Sequence, residues 1–194
     1  MKITILDNSP QMAAAIRAAF LTRPEVEVAC SDLASYLDCH NVSCVVSPAN
    51  SFGLMNGGFD AAITSYFGDS LQRGVQRYIR DLFHGEQPVG TAFIISIPHS
   101  DKKLIHTPSM RAPSPIRDPM VIYQCMRVTL LEAIRSGTDS IVIPVFGGGA
   151  GKVDASICAK AMYLGYMQVV SPIEKPDWNK VLQSERKLEG YGIK

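Results

Sequence analysis

Twice in this chain a short, unbroken apolar run empties into glycines just before a helical pattern begins, and this repetition constrains the fold more than any other feature. Residues 42–47 run into the loop 48–58, after which 59–66 and 70–83 carry apolar side chains at helical spacing. Residues 141–146 run into Gly147, Gly148, Gly149, Ala150 and Gly151, and Asp154 then stands where it can cap a helix over 155–167. Short β-branched runs alternating with helical patterns suggest an α/β fold, a sheet sandwiched by helices.

The remaining segments follow the same alternation. Residues 3–7 read as a strand, 10–21 as a helix capped by Ser9 with Pro10 in its first turn, and 26–30 as a second strand. Residues 90–98 and 103–107 are strand-like runs joined by a short polar turn, and the proline-rich stretch 108–119 reads as a surface loop. Pro119 opens a helix over 120–135 that Gly137 closes. Residues 1–170 are expected to form one domain. Residues 171–194, with Trp178, a charged helical stretch over 179–188 and a Gly-Tyr-Gly end, are expected to form a helical extension packed on it.

A strand that ends in glycines ahead of a helix presents unpaired backbone N–H groups at the carboxyl edge of the sheet, where anionic ligands bind in α/β folds. Two such loops can grip a diphosphate from both sides with donors that need no side chain. Neither loop is a common nucleotide motif. Residues 147–152 lack the spacing and Lys-Ser/Thr ending of a P-loop, and no GxGxxG follows the first strand.

Composition excludes several partners. With 19 basic and 18 acidic residues the formal charge is +1, too little for a global field that would gather nucleic acid or an anionic membrane. No stretch approaches the length of a membrane span. The five cysteines form no CxxC pair, so buried, reduced thiols and a cytoplasmic, or host-cell intracellular, setting are expected. The four histidines are scattered without metal-ligand spacing, and neither a metal nor a cofactor is expected.

Val45-Val46-Ser47-Pro48-Ala49-Asn50-Ser51 resembles the V-N-A-A-N-S strand and loop of macrodomains, and Gly57-Gly58-Phe59-Asp60-Ala61-Ala62-Ile63 resembles its G-G-V-D-G-A-I continuation. Lys103-Leu104-Ile105-His106-Thr107-Pro108 is similar to the family's Y-V-I-H-T-V strand. Ser140 to Gly149 is similar to its S-I-A-F-P-x-I-x-T-G strand and second loop. Cys30-Ser31-Asp32-Leu33 resembles the G-D-I element, whose aspartate accepts from the adenine amino group. An N-cap role for Asp32 over 33–37 is compatible with that.

The resemblance implies a three-layer α/β/α fold with a mixed central sheet and a ligand that is ADP-ribose or a related NAD-derived nucleotide, free or attached to a protein or nucleic acid. Asp32 and Leu33 would hold the base. Ala49, Asn50 and Ser51, with Gly57, Gly58 and Phe59, would hold the distal ribose and its phosphate. Val145, Phe146, Gly147, Gly148, Gly149, Ala150 and Gly151 would wrap the diphosphate, and Phe146 or Phe52 would pack on a sugar or in the core. In hydrolytic members the aspartate matching Asp60 orients or activates water, with the asparagine matching Asn50 beside it. The chain departs from the pattern at Ser47, Pro48 and Thr64, which replace an asparagine, a small residue and a histidine, and in its helix over 10–21 between the first two strands. Two roles follow: hydrolysis of an ADP-ribosyl linkage or of ADP-ribose 1-phosphate, or non-catalytic sensing or sequestration of another NAD-derived nucleotide.

Overall fold

Five parallel strands and one antiparallel edge strand form a single sheet in the order β2-β1-β6-β3-β5-β4. A computed structural model describes residues 1–190; the final residues of the Gly-Tyr-Gly end lie outside the described part. Along the chain the elements are β1 (Lys2–Asp7), α1 (Pro10–Ala19), β2 (Val26–Cys30), α2 (Leu33–Cys39), β3 (Cys44–Ser47), α3 (Gly58–Phe67), α4 (Ser70–Phe83), β4 (Phe93–Ser96), β5 (Lys103–His106), α5 (Met120–Arg135), β6 (Ser140–Pro144), α6 (Ala155–Val170) and α7 (Trp178–Gly190).

Successive strand residues point to opposite faces, so each strand feeds two cores. Ile5, Val46, Ile105 and Ile143 face α1, α5 and α6 through Ile16, Met126 and Met162. Leu6, Val45, Leu104 and Val142 face α2, α3 and α4 through Leu37, Ile63 and Val75. This is the three-layer α/β/α arrangement with a mixed sheet that the sequence implies. Leu188 of α7 is buried in the first of these cores.

The helix starts follow the expected chemistry. Ser9 Oγ accepts the Met12 N–H at 3.3 Å, Asp32 Oδ1 the Ser35 N–H at 2.9 Å, and Asp154 Oδ1 the Ser156 N–H at 2.8 Å. Asp118 Oδ1 accepts the Met120 N–H at 2.8 Å ahead of α5, and Gly137, at φ 62°, follows its end.

Two expectations need correction. The stretch 108–119 is not a surface loop throughout. Ser109 is only 3% exposed and, with Met110, lies along the loop after β3, because the backbone groups between the prolines find partners there. The cysteines are unpaired, but only Cys44, Cys125 and Cys158 are buried. Cys30 and Cys39 are exposed at the ends of β2 and α2, where the chain leaves the core. Among the described residues no helix is long and apolar enough to cross a membrane, and no cluster of His, Cys, Asp and Glu is arranged to hold a metal ion.

Candidate functional site

The four neighbouring strands β2, β1, β6 and β3 are mutually parallel, so all four end at one edge of the sheet. A cleft of about 600 Å³ lies along that edge. Ser31, Asp32 and Leu33 enter it after β2, and Asp7 and Asn8 at the end of β1. From β6 come Pro144, Val145, Gly147, Gly149, Ala150 and Gly151. From the loop after β3 come Pro48, Ala49, Asn50 and Leu54, then Gly57, Gly58, Phe59 and Asp60 at the start of α3. Three inter-strand spacings, about 14 Å, separate the β2 end from the β3 end, and the β6 glycines lie between them.

The loop after β3 is held like an extra strand. The Thr107 N–H donates to the Ser47 carbonyl and the Ser109 N–H to the Ala49 carbonyl, each at 3.0 Å. Ser109 Oγ donates to the Pro48 carbonyl at 3.0 Å, and Asn50 bridges to Met110. Asn50 turns its amide inward: Nδ2 donates to the Leu54 carbonyl at 2.7 Å, and Oδ1 accepts from the Phe52 and Leu54 N–H groups at 3.1 and 3.3 Å. Gln72 of α4 accepts the Met55 N–H at 2.7 Å, and Thr64 Oγ1 donates to the Met55 carbonyl at 3.0 Å. Gly57 at the N-cap of α3 supplies no side-chain acceptor, so the first-turn N–H groups there have no side-chain cap.

The second loop needs its glycines for packing before any ligand arrives. Gly147 has φ 90°, and a Cβ on it would lie 2.5 Å from Ile122 Cδ1. One on Gly151 would lie 2.6 Å from the Gly147 carbonyl oxygen. Gly148 faces Met12, whose Cε would be 2.5 Å from an added Cβ, and it lines a neighbouring recess rather than the cleft. Gly149 lines the cleft, and an added Cβ would meet nothing within 4 Å.

Asp60 is 7% exposed, and Ser47 Oγ donates to its Oδ1 at 2.6 Å. Burial raises the Asp60 carboxyl to about 6, and the Ser47 hydrogen bond opposes that rise. Burial also raises Asp7, against the Ser9 N–H that it accepts at 2.8 Å. Asp32 is held below the usual range by the N–H of Ser35 first and then by its hydroxyl, the latter at 2.7 Å. No lysine, arginine or histidine lines the cleft among the described residues, so backbone N–H groups are its means of holding an anion.

Of the residues selected from the sequence, Asp32, Leu33, Ala49, Asn50, Gly57, Gly58, Phe59 and Asp60 meet in the cleft with Val145, Gly147, Gly149, Ala150 and Gly151. Ser51, Phe146 and Gly148 do not line it. Ser51 is 1% exposed, and Phe146 is sealed in the core against α5 and α6. Phe52 lies under the Arg111 guanidinium, 4.9 Å from the ring centroid, while Arg111 pairs with Glu86. The Ser47–Asp60 contact and the lining by Asp7, Asn8, Met110 and Pro113 were not anticipated. Asp7 is the last residue of β1 and Asn8 directly follows it, and this strand end was the available signal.

A family model described as Macro domain matches residues 46–162. An uncharacterized protein of Aquifex aeolicus is 30% identical over 120 residues, 61% of this chain and 68% of that protein. One of Aeropyrum pernix is 30% identical over 118 residues, and the match spans only 59% of that protein's length. Among solved structures, a mutant of the Oceanobacillus iheyensis macrodomain with ADPR is similar at TM-score 0.59 and 21% identity, covering 78% of this chain and 87% of that one. The macrodomain of Mycobacterium tuberculosis DarG is similar at TM-score 0.57 and 16% identity, covering 67% and 84%. A Trypanosoma brucei macrodomain in complex with ADP is similar at TM-score 0.53 and 21% identity, covering 66% and 51%.

Proposed function

This chain belongs to the Macro domain family, and from that premise we propose that its cleft holds ADP-ribose, free or attached to a protein or nucleic acid, with the distal ribose beside Asp60. The strand order carries this reading. Along the edge β2-β1-β6-β3, Asp32 comes first, the β6 glycines next and Asp60 last, the sequence base, diphosphate, ribose. The span of about 14 Å suits an extended nucleotide diphosphate sugar, and the uncapped start of α3 adds N–H donors near the distal phosphate. We take residues 1–170 as the binding domain and 171–194 as its helical extension.

In the same reading Asp60 serves hydrolysis. Its carboxylate takes a proton from a water molecule, the water oxygen bonds to the anomeric carbon, and the bond from that carbon to the attached group breaks. Above about pH 6 the carboxylate is ionised and able to do this. The substrates are an ADP-ribosylated partner or ADP-ribose 1-phosphate. Release of ADP-ribose from ADP-ribosylated proteins, followed by mass spectrometry, should occur with the wild type and drop at least about a hundredfold with Asp60→Ala. Equal turnover by both would contradict the role.

One observation favours a second reading, a sensor that binds another NAD-derived nucleotide without turnover. The Asn50 amide is committed to the loop, making three bonds within it. Tight nucleotide binding with no turnover of any ADP-ribosylated substrate would select this alternative.

A further inference from the structure

We propose that Ser47 is the positioning residue for Asp60: its hydroxyl clamps one carboxylate oxygen and leaves the other turned to the cleft. The inference rests on the cleft and the Asp60 role proposed above. Ser47 is fully buried at the end of β3, and Asp60 stands in the first turn of α3, thirteen residues on. The 2.6 Å bond between them therefore closes the loop that carries Asn50 and Gly57. A hydrogen bond of this length, donated to a carboxylate, is short and strong.

Both ends of the clamp are fixed. The Ser47 carbonyl accepts the Thr107 N–H at 3.0 Å, and the Asp60 backbone is part of the first turn of α3. Asp60 Oδ2 has no hydrogen-bond partner among the described residues and is not sealed from the cleft. It is the oxygen left to meet water or a ribose hydroxyl. Serine thus supplies here, in a smaller volume, a donor where the family pattern has an asparagine.

The same bond favours the ionised carboxylate, against the burial that disfavours it. Other charged groups surround α3. Asp7 and Asp32 share the cleft, Asp38 of α2 accepts from Tyr66 at 2.9 Å, and Asp69 and Arg73 stand at the start of α4. None of them moves Asp60, whose proton affinity is set by burial and by Ser47.

The test uses the full chain with Ser47→Ala, Ser47→Thr and Asp60→Asn. Carbon-detected NMR follows the Asp60 carboxyl through a pH titration, and ADP-ribose release is measured over the same range. Ser47→Ala should move the Asp60 midpoint and the acid limb of the rate profile to higher pH together. Turnover should fall about tenfold below about pH 5 and less than about twofold near pH 7, as expected for a shift of about one unit from about 6, while affinity for ADP-ribose at pH 8 stays within about threefold. Ser47→Thr, which keeps the hydroxyl, should restore both. Should Ser47→Ala fail to fold, Ser47→Cys, close in shape and a weak donor, replaces it. An Asp60 midpoint unmoved by loss of the hydroxyl overturns the proposal. If the wild type turns over no ADP-ribosylated substrate, the hydrolytic reading fails separately, and the NMR titration still decides whether Ser47 governs Asp60.

Discussion

Asn50 holds Leu54 at both backbone groups: its Nδ2 donates to the Leu54 carbonyl at 2.7 Å and its Oδ1 accepts the Leu54 N–H at 3.3 Å. The amide thereby shapes the loop before any ligand is bound. Asn50→Ala should lower stability by about 2 kcal/mol through the lost bonds. It should also speed hydrogen exchange at Phe52 and Leu54, together with a loss of nucleotide affinity. Urea midpoints and exchange mass spectrometry read both. A variant with full stability and unchanged exchange would show that Asn50 serves the ligand alone.

Gly149 and Gly148 are adjacent and both line the neighbouring recess, but only Gly149 also lines the cleft. Gly149→Glu should keep stability within about 1 kcal/mol of wild type, because its Cβ enters open space. It should also weaken ADP-ribose binding at least about a hundredfold by bulk and charge in the cleft. Gly151→Ala should destabilise by about 1–3 kcal/mol, its Cβ lying 2.6 Å from the Gly147 oxygen. Thermal melts beside nucleotide titrations separate the two outcomes.

Asp60 and His106 respond to acid with opposite signs. Asp60, raised by burial from 3.8 to about 6, holds its proton more tightly folded than unfolded. Stability is therefore lost as pH rises through that window, by about 3 kcal/mol in all. His106, fully buried with Nδ1 2.7 Å from Gln87 Oε1, is lowered by burial from 6.5 to about 3, so stability is lost as pH falls through its window. Between about pH 4 and pH 6 the two contributions oppose each other. The wild type should show nearly level urea midpoints there from this pair. Asp60→Asn should be more stable than wild type above pH 6 and lose that advantage steadily on acidification. Parallel pH curves for the two proteins would contradict the assignment.

Much of this was legible because the signals are local. Helix α5 begins at Met120 and ends at Arg135 as its apolar spacing indicates, and Ser9, Asp32 and Asp154 cap their helices within three residues of themselves. The cleft's two main walls were marked by glycines following strands. What could not be read depends on where distant backbone segments meet. Ser47 reaches Asp60 only because the loop between them folds back along 107–111. The prolines of that second segment hid the fact that Ser109 and Met110 still pair with the loop. Gly148 and Gly149 look alike in sequence, and only the packing of Met12 under one of them separates their roles.

The central claim is that the cleft across β2, β1, β6 and β3 is an ADP-ribose site. Isothermal titration of the full chain with ADP-ribose, with Gly149→Glu as the blocked control, tests it most directly. The account predicts saturable one-to-one binding by the wild type and none by the control at the same concentrations. Absence of wild-type binding at millimolar ADP-ribose, or equal binding by both proteins, would contradict it.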